Sequence, residues 1–403
     1  MELYLQFGYG MKSLTLNLSK LWNGVTTILS PRDMTYNQLK LWSKEFSKNN
    51  VKCLFDPQCY CPKEQLKRLS QYPYWNQHFN TNLSNSIDSV SQMLIKIKEC
   101  NDIADTESYI IPNTLFKYDD NWSRQWIYNS SLLINKSKSI MNDKPRFMTL
   151  TLPEGLLQQS EDVIEPILQT ILQWDVDGFY IIAESINQSY LIENPLWLSN
   201  VFNICAALKL NNKKVIYGYG NHQFLPLSLA KVDAIASGTW LNVRSFTNRF
   251  KESIETKKRS TWIYYPPALS EYKLSFMDYA FSSDKLRSMP FNDKDFINEH
   301  ILKIYQSNVQ PSSTTFNETD AFFHYLICLR HQLDLVSEDS YKKALSVNEM
   351  ILNTAETEIE RLEKAGIYAQ NRSFAKVIDV NRAAIKRLDN SYGFSLNMDW
   401  NTI

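Results

Sequence analysis

Glycine is scarce, with 10 residues in a chain of 403. Glycine-built phosphate loops are therefore few at most, because such loops need positions that accept positive φ and let a ligand approach the backbone. Cysteine is sparser still. The six thiols (Cys53, Cys59, Cys61, Cys100, Cys205, Cys328) are irregularly spaced, which is unlike a disulfide framework and fits a reducing cytoplasm. Net charge is missing too. Lys+Arg and Asp+Glu both total 43, so no global field draws the chain to nucleic acid or to a membrane, and any such surface must be local. No segment reaches about 18 consecutive apolar residues, and the start, MELYLQFGYGMKSLTLNLSK, has no cationic stretch ahead of an apolar run. The expectation is a cytoplasmic protein that is neither exported nor membrane-spanning.

Apolar residues, by contrast, make up 44% and aromatics 13%, enough to support a large core and to exclude disorder. Eight short β-rich runs recur: from Tyr4, Val25, Lys52, Ser108, Arg146, Gly178, Lys214 and Val232. Several are almost continuously apolar, as strands buried on both faces of a parallel sheet should be. Helical patterns separate them. Leu39, Trp42 and Phe46 share one stripe of a helix over Tyr36 to Asn49, and Val163, Ile164, Ile167, Ile171 and Leu172 share one stripe of a helix that Ser160 would cap. Periodicity alone also admits an open doubly wound sheet. The strand count favours a (β/α)8 TIM-type barrel over residues 1–250.

After Phe250 the pattern breaks. A charged run, KESIETKKRS, leads to Tyr264-Tyr265-Pro266-Pro267 and a polar stretch through Pro311, so residues 251–315 read as an irregular excursion facing nucleic acid or a partner. From Thr319 to Leu362 and from Ala375 to Leu388 the pattern is helical with few breakers, which gives a helical C-terminal extension over 316–403.

The segments VDGFYIIAES and KVIYGYGNHQFLPLSLAKVDAIASGTWLNVRSFTNR are similar in order and spacing to the late barrel strands of the tRNA-guanine transglycosylases, over about 70 residues. KCLFDPQCYCP resembles that family's strand ending in an Asp, with a further likeness to relatives in which Pro-Gln follows the Asp. DAFFHYLICLRHQLDLVS resembles a late helix of the family. The resemblance implies a TIM-type barrel and exchange of a guanine for a 7-deazaguanine base, of the queuine or archaeosine type, in tRNA, DNA or a free nucleotide. An active member would be a pentosyltransferase or another N-glycosidic-bond enzyme, without a cofactor, and its partners would be a purine-like base, tRNA or DNA, and a second subunit of its own or another kind.

That chemistry needs one carboxylate to attack the anomeric carbon and another to handle the base. Asp56 maps onto the base-reading Asp, at the C-terminal end of a strand where barrel enzymes place catalytic groups; the alternative is an Asp that bonds its own loop before Pro57. The attacking position falls on Ala236, so the resemblance leaves either a relocated mechanism, with Glu184 as the substitute carboxylate, or a silent descendant. Asp233 reads as structural. Gln58 and Asn113 would touch the base, Tyr217, Tyr219 and Gly220 would form its pocket unless the tyrosines pack under the next helix, and Ser237, Trp240, Asn242, Arg244 and Arg249 follow the last strand, where arginines suit phosphate. Lys251, Lys257, Lys258 and Arg259 beside Trp262, Tyr264 and Tyr265 are either a nucleic-acid surface or a solvated charge run. The family's structural zinc cluster has no counterpart: Cys59-x-Cys61 stands alone, and Cys328 and His331 read as a buried thiol and a surface imidazole.

Overall fold

The apolar runs become eight strands: β1 (Glu2–Gln6), β2 (Val25–Leu29), β3 (Val51–Phe55), β4 (Tyr109–Ile111), β5 (Arg146–Leu152), β6 (Gly178–Ala183), β7 (Lys214–Tyr217) and β8 (Ala234–Ser237). The computed structural model describes residues 1–62, 66–75, 87–247, 250, 260–284, 289–290 and 293–403. Every pairing among the eight strands is parallel, in the order β3-β2-β1-β8-β7-β6-β5-β4. This is the cyclic order of a barrel cut between β3 and β4. Across the cut, Glu107 N donates to Cys53 O at 3.3 Å and Leu115 N donates to Tyr60 O at 3.0 Å. The protein is thus a (β/α)8 barrel, and the open doubly wound alternative is excluded by the strand order. Strand hydroxyls turn back onto backbone carbonyls: Thr27 Oγ1 donates to Leu5 O at 3.1 Å, Thr149 Oγ1 to Ile111 O at 2.6 Å and Thr151 Oγ1 to Thr114 O at 2.8 Å, which satisfies these three polar groups inside the apolar runs.

The ring outside the strands consists of α1 (Lys12–Trp22), α2 (Tyr36–Lys48), α3 (Ile87–Ala104), α4 (Trp122–Ile140), the short α5 (Glu154–Leu157), α6 (Glu161–Leu172) and α7 (Pro195–Leu210). A capping box starts α2: Thr35 Oγ1 accepts from Gln38 N at 3.2 Å, and Thr35 N donates to Gln38 Oε1 at 2.8 Å. Ser160 sits at the N-cap position of α6 as expected, but its hydroxyl makes no capping bond there; Glu161 and Asp162 supply the favourable charge in the first turn. Nearly every side chain of α7 from Trp197 to Lys209 is buried, because a later helix covers its outer face. A 3₁₀ segment, His222–Ser228, fills the place between β7 and β8.

Residues beyond the barrel strands pack back onto them. β9 (Trp262–Tyr265) and β10 (Ser270–Lys273) form an antiparallel hairpin, followed by α8 (Leu274–Ser282) and α9 (Glu299–Tyr305). The segment read as irregular therefore contains an ordered hairpin. Pro266 and Pro267 occupy its turn, where a missing N–H costs no ladder bond, and Tyr264, Tyr265 and Tyr272 are buried rather than displayed to a partner. α10 (Glu318–Val336) packs along β1 and β9, α11 (Tyr341–Lys364) meets the hairpin turn, and α12 (Ile378–Asp399) is the cover over α7. Among the described residues no helix is long and apolar enough to cross a membrane.

Candidate functional site

β3 ends at Phe55, and Asp56 follows at the C-terminal rim of the barrel, its N–H still donating to Leu29 O at 3.2 Å. Oδ1 accepts from Gln58 N at 2.9 Å, the local turn bond that an Asp before Pro57 can make. Oδ2 instead faces the middle of the barrel. It accepts from Tyr60 Oη at 2.7 Å and lies 3.4 Å from Tyr180 Oη, which rises from β6, three strands away round the ring. Tyr180 Oη is also 3.0 Å from Gln6 Oε1, so its single proton serves the Gln or the Asp at any moment. The local turn bond is thus made by one oxygen, and the other is left facing the barrel interior.

Gln58 extends this network. Its Oε1 accepts from Arg32 N at 2.9 Å, and its Nε2 donates to Ser30 Oγ at 2.7 Å and Tyr219 Oη at 3.3 Å. Gln58 and Tyr219 both hold left-handed backbone, at φ 57° and 55°, which costs on the order of 1 kcal/mol each and persists only where the surroundings impose it. Burial pushes the Tyr60 and Tyr180 hydroxyls well above the usual tyrosine range, and the charge of Asp56 pushes them further. They remain proton donors throughout the physiological range, so Asp56 is surrounded by groups that favour a buried acceptor.

Aromatic rings cover the network. Phe246 and Phe250 stack on one another with centroids 5.6 Å apart, Tyr60 meets them edge-on at 5.1 and 4.9 Å, and Tyr219 meets Phe246 at 5.2 Å. Phe246 is fixed by its bridge to the end of β6, where Ser185 N donates to Phe246 O at 3.0 Å. The mouth is thus a carboxylate walled by phenols and roofed by two phenyl rings.

Of the residues expected at the site, and among the described residues, Asp56, Gln58 and Tyr219 are joined in this network. Glu184 Oε2 accepts from Glu154 N at 3.1 Å, at the start of α5, a placement that suits a carboxylate at a helix N-terminus. Asn113 is saturated: it donates to Ser130 Oγ and Thr149 O and accepts from Thr114 N and Asn129 Nδ2, all within 2.9–3.0 Å. It braces β4, α4 and β5. Tyr217 packs on Phe224 at 4.4 Å, which is the packing alternative, and Gly220 N donates to Ala236 O at 2.7 Å. Ala236 pairs with Tyr4 in the β1–β8 ladder. Ser237 is fully buried and its hydroxyl makes no well-formed hydrogen bond among the described residues. Asp233 accepts from Lys209 Nζ and Val215 N at 2.9 and 2.7 Å, at the opposite end of the strand.

The residues after β8 depart most from expectation. Arg244 is 3% exposed and cannot meet a phosphate at the surface; its Nε donates to Gly238 O at 2.8 Å. Trp240 packs edge-on against Phe322 at 4.9 Å, and Asn242 is exposed. Trp262 lies beneath the Arg372 guanidinium at 4.1 Å. Arg249, Lys251, Lys257, Lys258 and Arg259 lie outside the described residues. A thiolate zinc site does not fit the residues present: Cys328 is buried beside His324, with Sγ 3.6 Å from Nδ1, whereas His331 turns to Asp293 at 2.9 Å.

Gln6, Tyr60, Tyr180 and Phe246 were missed by sequence reasoning. For Gln6 and Tyr180 the available signal was a polar group inside an otherwise apolar strand, which in a closed barrel points to an interior partner; Tyr60 and Phe246 lie beyond strand ends and carried no such signal. No family model matches the chain, and no curated protein does.

Proposed function

We propose that the barrel mouth binds a guanine or 7-deazaguanine-type base, free or within a nucleotide or nucleic acid, in a transglycosylase-like protein that has given up base exchange. The observation that carries this is Asp56 Oδ2, a buried acceptor aimed into the barrel between phenol donors. A guanine edge presents two adjacent N–H donors, to which a carboxylate with acceptors only is complementary. The base would replace the tyrosine hydroxyls on Asp56 and stack where Phe246 and Phe250 now meet Tyr60 and Tyr219. Ala236, buried in the position of the attacking Asp, and Glu184, engaged with α5, favour binding over catalysis.

The test is equilibrium titration with guanine, 7-deazaguanine and adenine, beside exchange of radiolabelled guanine into bulk tRNA and bulk DNA. Guanine is expected to bind and adenine to fail. Asp56→Asn, which keeps the shape but replaces one acceptor with a donor, should weaken guanine at least about tenfold, the loss of one charge-assisted hydrogen bond. Equal affinity for the two purines, or wild-type affinity in Asp56→Asn, would overturn the binding reading. Incorporation of label would overturn the silent one.

A further inference from the structure

A second constellation lies outside the Asp56 network. The loop after β8, the β9–β10 hairpin, α10 and the turn Gln370–Arg372 enclose a cavity of about 60 Å³. Thr239, Arg244, Glu271 and Arg372 are among the residues that line it. Two guanidinium groups here share one buried carboxylate. Arg372 Nη1 donates to Glu271 Oε2 at 2.7 Å, and Arg244 Nη1 stands 3.5 Å from both Glu271 oxygens. Each guanidinium also lies over a ring, Arg244 at 3.4 Å over Tyr325 and Arg372 at 4.1 Å over Trp262. Glu318, which also lines the cavity, is only half-buried.

One hydroxyl beside this pair is left over. Thr239 is 4% exposed, and its Oγ1 has no hydrogen-bond partner among the described residues. Ser237 and Tyr325 are buried nearby and Tyr190 is half-buried, and their hydroxyls interact with one another and with the Arg244–Glu271 pair. A buried donor without an acceptor is costly, and native structures retain few of them. The cavity thus sets two guanidinium groups, which share the one buried carboxylate Glu271, beside a buried Thr239 hydroxyl.

We propose that this cavity is a binding site for a small oxyanion of the phosphate class, held by Arg244 and Arg372 and by the Thr239 hydroxyl. A tetrahedral oxyanion offers several lone pairs at once, which matches planar guanidinium forks that are already oriented by Glu271 and by their rings. The room available suits a single group of this size. The ion is either free or the terminal phosphate of a nucleotide. This proposal is independent of the guanine-binding reading, because neither Asp56 nor Gln58 lines the cavity.

The experiment is calorimetric titration of the full chain with inorganic phosphate against chloride at matched ionic strength, with GMP and guanosine as further arms. Saturable binding at about millimolar phosphate is expected. Arg372→Gln should abolish it. Thr239→Val keeps the side-chain shape and removes an unpaired hydroxyl, so it is expected to fold at least as well as the parent while binding phosphate about tenfold more weakly. Glu318→Gln should tighten binding by removing a nearby negative charge. In an Asp56→Asn background, which disables the proposed guanine site, GMP stronger than both phosphate and guanosine identifies a nucleotide phosphate, and GMP equal to phosphate with guanosine silent identifies the free ion; both support the site. Phosphate no better than chloride, or an unchanged isotherm in Thr239→Val, overturns it. Since the probe is inorganic phosphate, failure here leaves guanine binding untouched, and the reverse also holds.

Discussion

The barrel mouth and the cavity behind the last strand each bury a carboxylate, among phenols and phenyl rings in the first and between two guanidinium groups in the second. At the mouth, the Asp56 carboxylate accepts from a backbone N–H and the Tyr60 hydroxyl and lies beside the Tyr180 hydroxyl. In the cavity, Glu271 is compensated by cations, and although burial pushes its carboxyl up, Arg372 and then Arg244 outweigh that and hold it below the usual range. The mouth is filled with rings. The cavity leaves the Thr239 hydroxyl unpaired among the described residues. A network of neutral donors can exchange one acceptor or donor for another at modest cost, whereas removing a member from a buried ion cluster strands a charge. The first arrangement suits recognition of an uncharged edge, and the second suits a charged one.

Arg244→Met tests the second half of this contrast most severely. The substitution leaves Glu271 with Arg372 alone and removes the bond to Gly238 O. Stability should fall by about 4 kcal/mol, the scale for breaking a buried ion cluster by removing one partner. Urea unfolding midpoints with an unchanged denaturant slope would measure it; a loss below about 1 kcal/mol would place the pair with surface ion pairs and sink the comparison.

Phe246→Ala addresses the mouth. Phe246 is buried against Tyr60, Tyr219 and Phe250, so truncation should cost about 3 kcal/mol. It should also strengthen guanine binding, since the ring that the base must displace is gone. Reduced stability with weakened guanine binding would show that the ring forms part of the pocket wall instead.

The fold was legible because a parallel barrel buries both faces of its strands, and runs such as GFYIIA and RFMTLTL carry that demand openly. Strand ends were less legible. KVIYGYG continues apolar beyond the strand, yet β7 stops at Tyr217 because Tyr219 turns left-handed to reach Gln58, 161 residues away. Asp56 could be read from its place after β3, but not its partner Tyr180, 124 residues distant on another strand. The hairpin escaped for a local reason: Tyr-Tyr-Pro-Pro reads as a breaker when the prolines in fact occupy the turn. Missing the hairpin hid Glu271, and without Glu271 a cationic loop residue such as Arg244 reads as a surface group for phosphate rather than one half of a buried pair. Local periodicity specifies elements. Charge pairing across the fold is a long-range property that one sequence does not display.

pH separates the two regions further. The hydroxyls around Asp56 are unresponsive to mild acid, but the hairpin beside the cavity rests on two imidazoles. His222 lies among Tyr190, Tyr264, Tyr325 and Phe374, with Glu271 and Arg244 as its charged neighbours. Burial pulls its pKa down to about 4, with Arg244 adding to the fall and Glu271 opposing it. His324 is likewise pulled down to about 4, first by burial and then by nearby His300. The Tyr264 carbonyl, 2.8 Å from His324 Nε2, can only accept, so that nitrogen carries the proton, and Nδ1 accepts from Asn298 Nδ2 at 2.9 Å. Neither ring is built to hold a second proton. The unfolded chain takes up protons near pH 6.5 and the folded chain only near pH 4, so the stability present above pH 6.5 is lost as pH falls and the loss levels off near pH 4. At pH 5 this amounts to about 2 kcal/mol for each imidazole. Urea unfolding at pH 8, 6 and 5 should show that decline. His324→Gln, whose amide can donate to Tyr264 O without titrating, should remove about half of it. Stability that stays flat from pH 8 to pH 5 would mean that the hairpin admits water to both rings, and the contrast between a dry ion-paired cavity and a dry phenolic mouth would fail.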